Sequence, residues 1–287
     1  WQLWKLQDVA GNVAYIGDAT TASTAVTSGY SGKRPQLAYD AAGRRYTYTY
    51  TTIDSVQRLT QVKAETKTGG TWASPTGTAT VAQVDYAYYT GSDANGDNGN
   101  LKTVTTTTPQ SDASVTLTSK TYYRYYTGTY NSSTNPGQAN GLKLILGADG
   151  TRAYDYAGDS TFNDSFFGAS TDNLKAYSDA YFEYENTTTY QVNKAFFNGQ
   201  CGCGGGVNGQ YQFTLGLATA YATNIANTTY QSANAVRNVI QRPDGTWETR
   251  YFDETHQSNG WAITNSDPAS SPTQTWASNV ARDSAGR

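Results

Sequence analysis

Tyr39-Asp40-Ala41-Ala42-Gly43-Arg44-Arg45-Tyr46-Thr47-Tyr48-Thr49-Tyr50-Thr51 joins a turn to a strand. From Tyr46 onward tyrosine and threonine alternate, which on an extended chain puts the tyrosines on one face and the threonines on the other. Asp-x-x-Gly supplies the turn, with the carboxylate able to accept backbone N–H groups and glycine able to take positive φ. The phrase returns at the far end as Asp283-Ser284-Ala285-Gly286-Arg287. A recurring turn-and-strand phrase signals a repeat, and repeats bury apolar surface only by stacking on their neighbours.

The surrounding sequence has the same character. Alternation reappears at Val84 to Tyr88, Val104 to Thr108, Val115 to Thr118 and Thr121 to Tyr126, separated by turn clusters at Lys67 to Gly70, Gly91 to Asn100, Asn131 to Gly141 and Ala148 to Gly150. The 287 residues include 24 Tyr and 28 Gly and lack Met, in a background of Thr, Ser, Asn and Ala. This composition reads as all-β. Asp149-Gly150-Thr151 with Tyr156, and Asp244-Gly245-Thr246 with Tyr251, share one offset from Asp to Tyr and read as one hairpin template used twice. Three regions are expected: hairpin repeats over 1–162, a less regular insertion over 163–234, and further repeats over 235–287. Leu215 to Tyr221 fits a strand or a short helix equally well. Because the chain begins at Trp1 and stops within a motif at Arg287, a fragment of a longer protein is expected.

Charged residues are 15% of the chain and the net charge is -3, which provides no basic field for nucleic acid or an anionic membrane. No apolar run reaches the length of a membrane span. Two cysteines, no methionine and abundant tyrosine and threonine point to an oxidising exterior, outside the cell or on its surface.

Several phrases resemble the YD repeats, also called RHS repeats. Tyr39-Asp40-x-x-Gly43-Arg44 resembles the Tyr-Asp-x-x-Gly-Arg signature, and Asp54 to Thr60, with Arg58-Leu59-Thr60, resembles its continuation. Gly99-Asn100-Leu101 resembles the Gly-Asn-Leu variant; Asp149-Gly150 with Tyr156, Asp244-Gly245 with Tyr251, and Asp283 to Gly286-Arg287 are further copies. The resemblance implies antiparallel β-hairpins spiralling into a shell, tube or solenoid-like sheet in a secreted or surface protein. Such a wall encloses a C-terminal cargo domain or forms part of a fibre, with neighbouring repeats or copies of itself as partners. Tyrosine suits a one-layer wall, since its ring packs on the next hairpin while its hydroxyl reaches a partner. The motif arginine is expected to reach into the adjacent repeat.

Other candidates are localised. Cys201 and Cys203, in a glycine-rich turn, could close a strained disulfide, cross-link two chains or hold a soft metal. Asp93, Asn95 and Asp97 place oxygens at alternate positions as calcium loops do, although Asn98 and Val104 depart from the EF-hand pattern. His256 is the sole histidine. Glu183 and Glu185 would share one strand face, the minimum a glycosidase pair needs. Trp1, Trp4, Trp72, Trp247, Trp261 and Trp276 could stack on sugars, which makes a glycan-binding adhesin the alternative to a structural wall. Sequons stand at Asn131, Asn163, Asn186 and Asn227, and Asp267-Pro268 has no supporting context for self-cleavage. The expected role is structural and non-catalytic.

Overall fold

The computed structural model describes residues 2–17, 21–72, 74–109, 116–156, 164–185, 191–197, 210–217, 236–252, 258–268 and 273–279. The chain is mostly antiparallel β-sheet and divides into two compact units, residues 1–125 with 147–151, and residues 126–146 with 152–287.

In the first unit the sheet order is β1 (Lys5–Gln7), β2 (Val13–Ile16), β5 (Leu37–Tyr39), β6 (Arg45–Ile53), β7 (Val56–Gly70), β8 (Pro75–Tyr88), β9 (Leu101–Pro109) and β10 (Thr116–Tyr125). Between β2 and β5 lie a short helix α1 (Ala22–Ser28) and a small ribbon of β3 (Tyr30–Ser31) paired with β4 (Arg34–Pro35). Thr21 caps α1 by accepting from the Thr24 amide. Strands adjacent in sequence are neighbours in space from β5 onward, the meander that closely spaced hairpin turns produce.

The alternation expected at Tyr46 to Thr51 is the strand β6. Its register with β7 shifts between Thr49 and Tyr50, where Thr60 is the extra residue of a bulge and its hydroxyl donates to the Thr49 carbonyl at 3.2 Å. One face of β6 to β8 carries Tyr46 beside Ala64 and Tyr48 beside Val62 and Val84. The other carries a polar ladder. Glu65 receives Arg45 and Lys63, each at 2.8 Å, and Asp85 receives the amides of Gln61 and Gln83, each at 2.8 Å. Tyr46, Tyr48, Arg45 and Thr47 are all half-buried, so this part of the sheet is shielded incompletely on both faces.

The second unit has its own antiparallel order: β11 (Leu142–Leu146), β12 (Ala180–Tyr184), β13 (Val192–Phe197), β14 (Gln210–Leu217), β15 (Val236–Gln241), β16 (Trp247–Phe252), β17 (Ser258–Thr264) and β18 (Thr275–Asn279). Of the stretch Leu215 to Tyr221, undecided from sequence, Leu215 to Leu217 are in a strand and 218–221 lie outside the described residues. From β15 to β17 one face is closed, with Val239, Thr249, Tyr251, Ala262 and Thr264 all buried.

Helical structure falls between β11 and β12: α2 (Ala148–Tyr156), a 3-10 turn at Ser165–Phe167 and α3 (Thr171–Lys175). Asp155, almost fully buried, accepts from the Asp164 and Ser165 amides, both at 2.9 Å, and from the Ser165 hydroxyl at 2.6 Å. Asp149-Gly150 was expected to be a hairpin turn, and the structure overturns that reading: these residues begin α2, which continues to Tyr156. An acidic residue in a helix's first turn complements the dipole, while the same residue before glycine suits a hairpin tip by accepting backbone N–H groups, so the Asp-Gly pair alone does not discriminate. Among the described residues no helix is long and apolar enough to cross a membrane.

Candidate functional site

Two kinds of repeated joint recur in the sheet, and each can be built from its residues. The first is the Asp-x-x-Gly turn. At Asp40 the backbone N–H donates to the Arg44 carbonyl at 3.1 Å, and the Gly43 N–H returns to the Asp40 carbonyl at 3.0 Å. The Asp40 carboxylate accepts from the Ala42 and Arg44 amides, each at 3.0 Å, from the Arg44 guanidinium at 2.6 Å and from the Tyr46 hydroxyl at 2.9 Å. Gly43 sits at φ 74°, the left-handed position that ends a three-residue hairpin loop. Burial raises the Asp40 carboxyl, but the bonds from Arg44 and Tyr46 outweigh it and hold the group below its usual range.

The same joint occurs at Asp8-Val9-Ala10-Gly11-Asn12, which the sequence reading missed because Asn12 stands in the arginine place. Asp8 N–H donates to Asn12 O at 3.1 Å, Gly11 N–H to Asp8 O at 3.1 Å, and the carboxylate takes the Ala10 and Asn12 amides at 2.9 Å. At Arg242-Pro243-Asp244-Gly245-Thr246 the two backbone bonds recur, from Arg242 N–H to Thr246 O at 2.8 Å and from Gly245 N–H to Arg242 O at 3.0 Å. There Asp244 instead accepts from the Thr246 amide at 2.9 Å and its hydroxyl at 2.6 Å.

Arg44 does not reach an adjacent repeat as expected: it is spent on its own turn. The link to neighbouring strands is made by Arg45, bonded to Glu65, and by Trp72, whose indole N–H donates to the Gly43 carbonyl at 3.0 Å. Arg45 lies 4.5 Å from the Trp72 ring centroid, and Tyr39 packs on the same indole at 5.8 Å. Asp54 makes a different turn. Asp54 and Ser55 both take positive φ, 53° and 59°, in a two-residue hairpin between Ile53 and Val56. Arg58 lies over the Tyr88 ring at 5.5 Å.

The second joint centres on a buried tyrosine. Tyr88-Tyr89-Thr90-Gly91 and Tyr125-Tyr126-Thr127-Gly128 are the same tetrapeptide. Tyr89 N–H donates to Asn100 O at 2.8 Å and its carbonyl accepts from Gly99 at 2.8 Å; Tyr126 N–H donates to Gly141 O at 2.8 Å and its carbonyl accepts from Asn140 at 2.9 Å. Each ring lies against a loop glycine, Gly96 or Gly137, where a Cβ would come closer than 3.0 Å. A lysine covers each ring, Lys102 at 5.0 Å and Lys143 at 4.9 Å. Each hydroxyl donates to a carbonyl in the second strand beyond it, Tyr89 to Tyr123 in β10 at 2.7 Å and Tyr126 to Phe182 in β12 at 2.7 Å. Each also meets a second hydroxyl, that of Tyr122 at 3.2 Å or Tyr181 at 3.3 Å. An edge-on ring completes each site, Tyr125 at 6.4 Å and Tyr184 at 6.0 Å. Finally, the Tyr125 amide donates to Asn95 O and the Tyr184 amide to Pro136 O, both at 2.8 Å.

Residues 89–125 and 126–184 are therefore two copies of one module, the second carrying the helical insertion. Burial pushes both central phenols far above their usual range, and pushes Tyr125 up to about 12. Tyrosine hydroxyls also donate to carbonyls at Tyr50 to Pro35, Tyr88 to Leu59 and Tyr184 to Leu142, at 2.8 to 2.9 Å.

The proposed calcium loop is part of the first module. Asp93 accepts from the Asn95 amide at 2.9 Å and faces Lys102 at 3.7 Å, while the Asp97 amide donates to the Asn100 side chain at 2.8 Å. Among the described residues no group of three His, Cys, Asp or Glu side chains gathers as a metal site. Glu183 turns to Lys194 at 3.2 Å, whereas Glu185 lines a groove of about 390 Å³ with Phe182, Phe197 and Phe213 that does not include Glu183. Cys201, Cys203, His256, Asp283, Gly286 and Arg287 lie outside the described residues, as do Trp1 and the sequons at Asn163, Asn186 and Asn227.

Compared with known proteins, the chain matches no family model and no curated protein.

Proposed function

We propose that the chain is a non-catalytic, wall-forming segment of a large extracellular or cell-surface protein of the YD-repeat kind, lining a shell around a cargo domain or building a fibre. The observation that carries this reading is the duplicated tyrosine module, in which each copy ties its central tyrosine to the second strand beyond it and so can be propagated along a chain. The Asp-x-x-Gly joints support it, because at Asp8 and Asp40 both carboxylate oxygens are taken up within the turn, by backbone amides and by the Asn12 amide or the Arg44 guanidinium and Tyr46 hydroxyl, and hold turns rather than substrates. Partners on this reading are neighbouring repeats, other copies, or an enclosed domain. Electron microscopy of the purified full-length protein tests it: hollow particles or regular fibres are expected, and small solid particles would overturn it.

A further inference from the structure

In the second unit, strand register places a run of side chains on one face. Paired residues of an antiparallel sheet share a face; Phe213 pairs with Ile240, Ile240 with Glu248, Glu248 with Ile263 and Ile263 with Trp276, while Arg250 pairs with Trp261. The opposite face of β15 to β17 is buried. On this one, Trp261 is 41% exposed and Trp276 55% exposed. They are diagonal neighbours across β17 and β18, with backbones about 7–8 Å apart. Two neighbouring indoles left open on one face offer a flat apolar platform on which a ring can stack.

The charge beside them is asymmetric. A groove of about 280 Å³ is lined by Arg242, Glu248, Arg250, Ser258, Trp261 and Ile263. Glu248 is nearly buried, accepting from the Arg250 Nε at 2.5 Å through one oxygen and from the Arg242 Nη2 through the other. Both oxygens are used, so the carboxylate positions two guanidiniums and leaves one net positive charge. The Asp-x-x-Gly-type turn adds rigidity, because Arg242 makes both of its backbone bonds. Arg250 has a side chain 55% exposed, and its terminal nitrogens have no partner among the described residues.

We propose that this face binds an acidic polysaccharide, its pyranose rings stacking on Trp261 and Trp276 and a uronate carboxylate meeting the guanidiniums of Arg250 and Arg242. A sugar offers what the surface asks for: an apolar C–H face for the indole and a carboxylate matching the planar fork of arginine. A second copy or another protein suits it less, since closing a dry interface here would desolvate Arg242, Glu248 and Arg250 together. This inference is independent of the wall-forming role.

The test is a titration of the chain with oligogalacturonate, and with an uncharged cello-oligosaccharide of equal length, followed by tryptophan fluorescence and calorimetry. Saturable binding of the acidic ligand alone is expected, weakening as salt screens the guanidiniums. W261A, W276A and R250Q should each bind about tenfold more weakly or worse. R250Q changes an exposed side chain, and unaltered circular dichroism and melting temperature will show that each variant folds. No binding of oligogalacturonate, equal binding of the uncharged ligand, self-association in its place, or full affinity in folded R250Q and W261A would each overturn the proposal.

Discussion

Replacing Tyr126 by Phe removes one oxygen from the centre of the second module and little else. The ring stays, and with it the edge-on contact to Tyr184 at 6.0 Å, the Lys143 contact at 4.9 Å and the packing on Gly137. Lost are the bond to the Phe182 carbonyl at 2.7 Å and the meeting with the Tyr181 hydroxyl at 3.3 Å, at a residue with 0% exposure. A neutral hydrogen bond contributes about 1 kcal/mol net, and partners left short of a donor in a dry site raise the cost, so Y126F should destabilise by about 1–2 kcal/mol. Y126A also opens a ring-sized cavity and should cost about 3–5 kcal/mol. Equilibrium urea unfolding reads both, with the denaturant slope unchanged in Y126F. The equivalent change at Tyr89, whose bond to Tyr123 is also 2.7 Å, should cost the same within about 0.5 kcal/mol. A loss below about 0.5 kcal/mol at either position would refute the assignment of these hydroxyls as the joints of the sheet.

The same geometry sets other outcomes. G96A and G137A push a methyl group into the central tyrosine ring and should lower stability by about 2–3 kcal/mol or more, whereas G43A faces open space and should cost only about 1–2 kcal/mol for its positive φ; thermal melts of the three separate the causes. W72F keeps a ring near Arg45 but loses the donor to Gly43, an expected cost of about 1 kcal/mol by urea unfolding. Glu65 is held below its usual range by the hydrogen bond from Lys63, against burial, with help from Arg45; Asp40 and Glu248 are lowered as well, because their bonds outweigh burial. Groups with depressed folded values contribute stability that is present above the unfolded value, about pH 4, and is lost as pH falls through the lower folded value. Stability should therefore fall on acidification below about pH 4, and less steeply in E65Q, which unfolding curves across that range will show.

The alternating strand at Tyr46 to Thr51 was legible because period-two patterning and side-chain direction are the same fact. So was the turn at Asp40, where carboxylate, glycine and arginine each have one place to go. Its copy at Asp8 escaped notice because the amide of Asn12 can do what the Arg44 guanidinium does, bonding the carboxylate at 2.8 Å. Asp149-Gly150 misled, since whether an Asp-Gly pair turns a hairpin or opens a helix depends on the residues C-terminal to it. The tyrosine modules carried a readable signal, the doubled Tyr-Tyr-Thr-Gly with Leu-Lys beyond each loop. Loops of different length and the helical insertion disguised their common period, and the partners of Tyr126 lie more than fifty residues away. The shared face of Trp261, Trp276 and Arg250 depends on register across three strands, which no single stretch of sequence contains.

Hydrogen exchange at the Tyr125 and Tyr184 amides addresses most directly the claim that residues 89–125 and 126–184 are two copies of one module. Both amides donate at 2.8 Å to a carbonyl of the loop that covers the central tyrosine. Slow exchange is expected at both, with Y89F releasing Tyr125 and Y126F releasing Tyr184. Fast exchange at either amide in the unmodified chain, or protection indifferent to the matching substitution, would contradict the account.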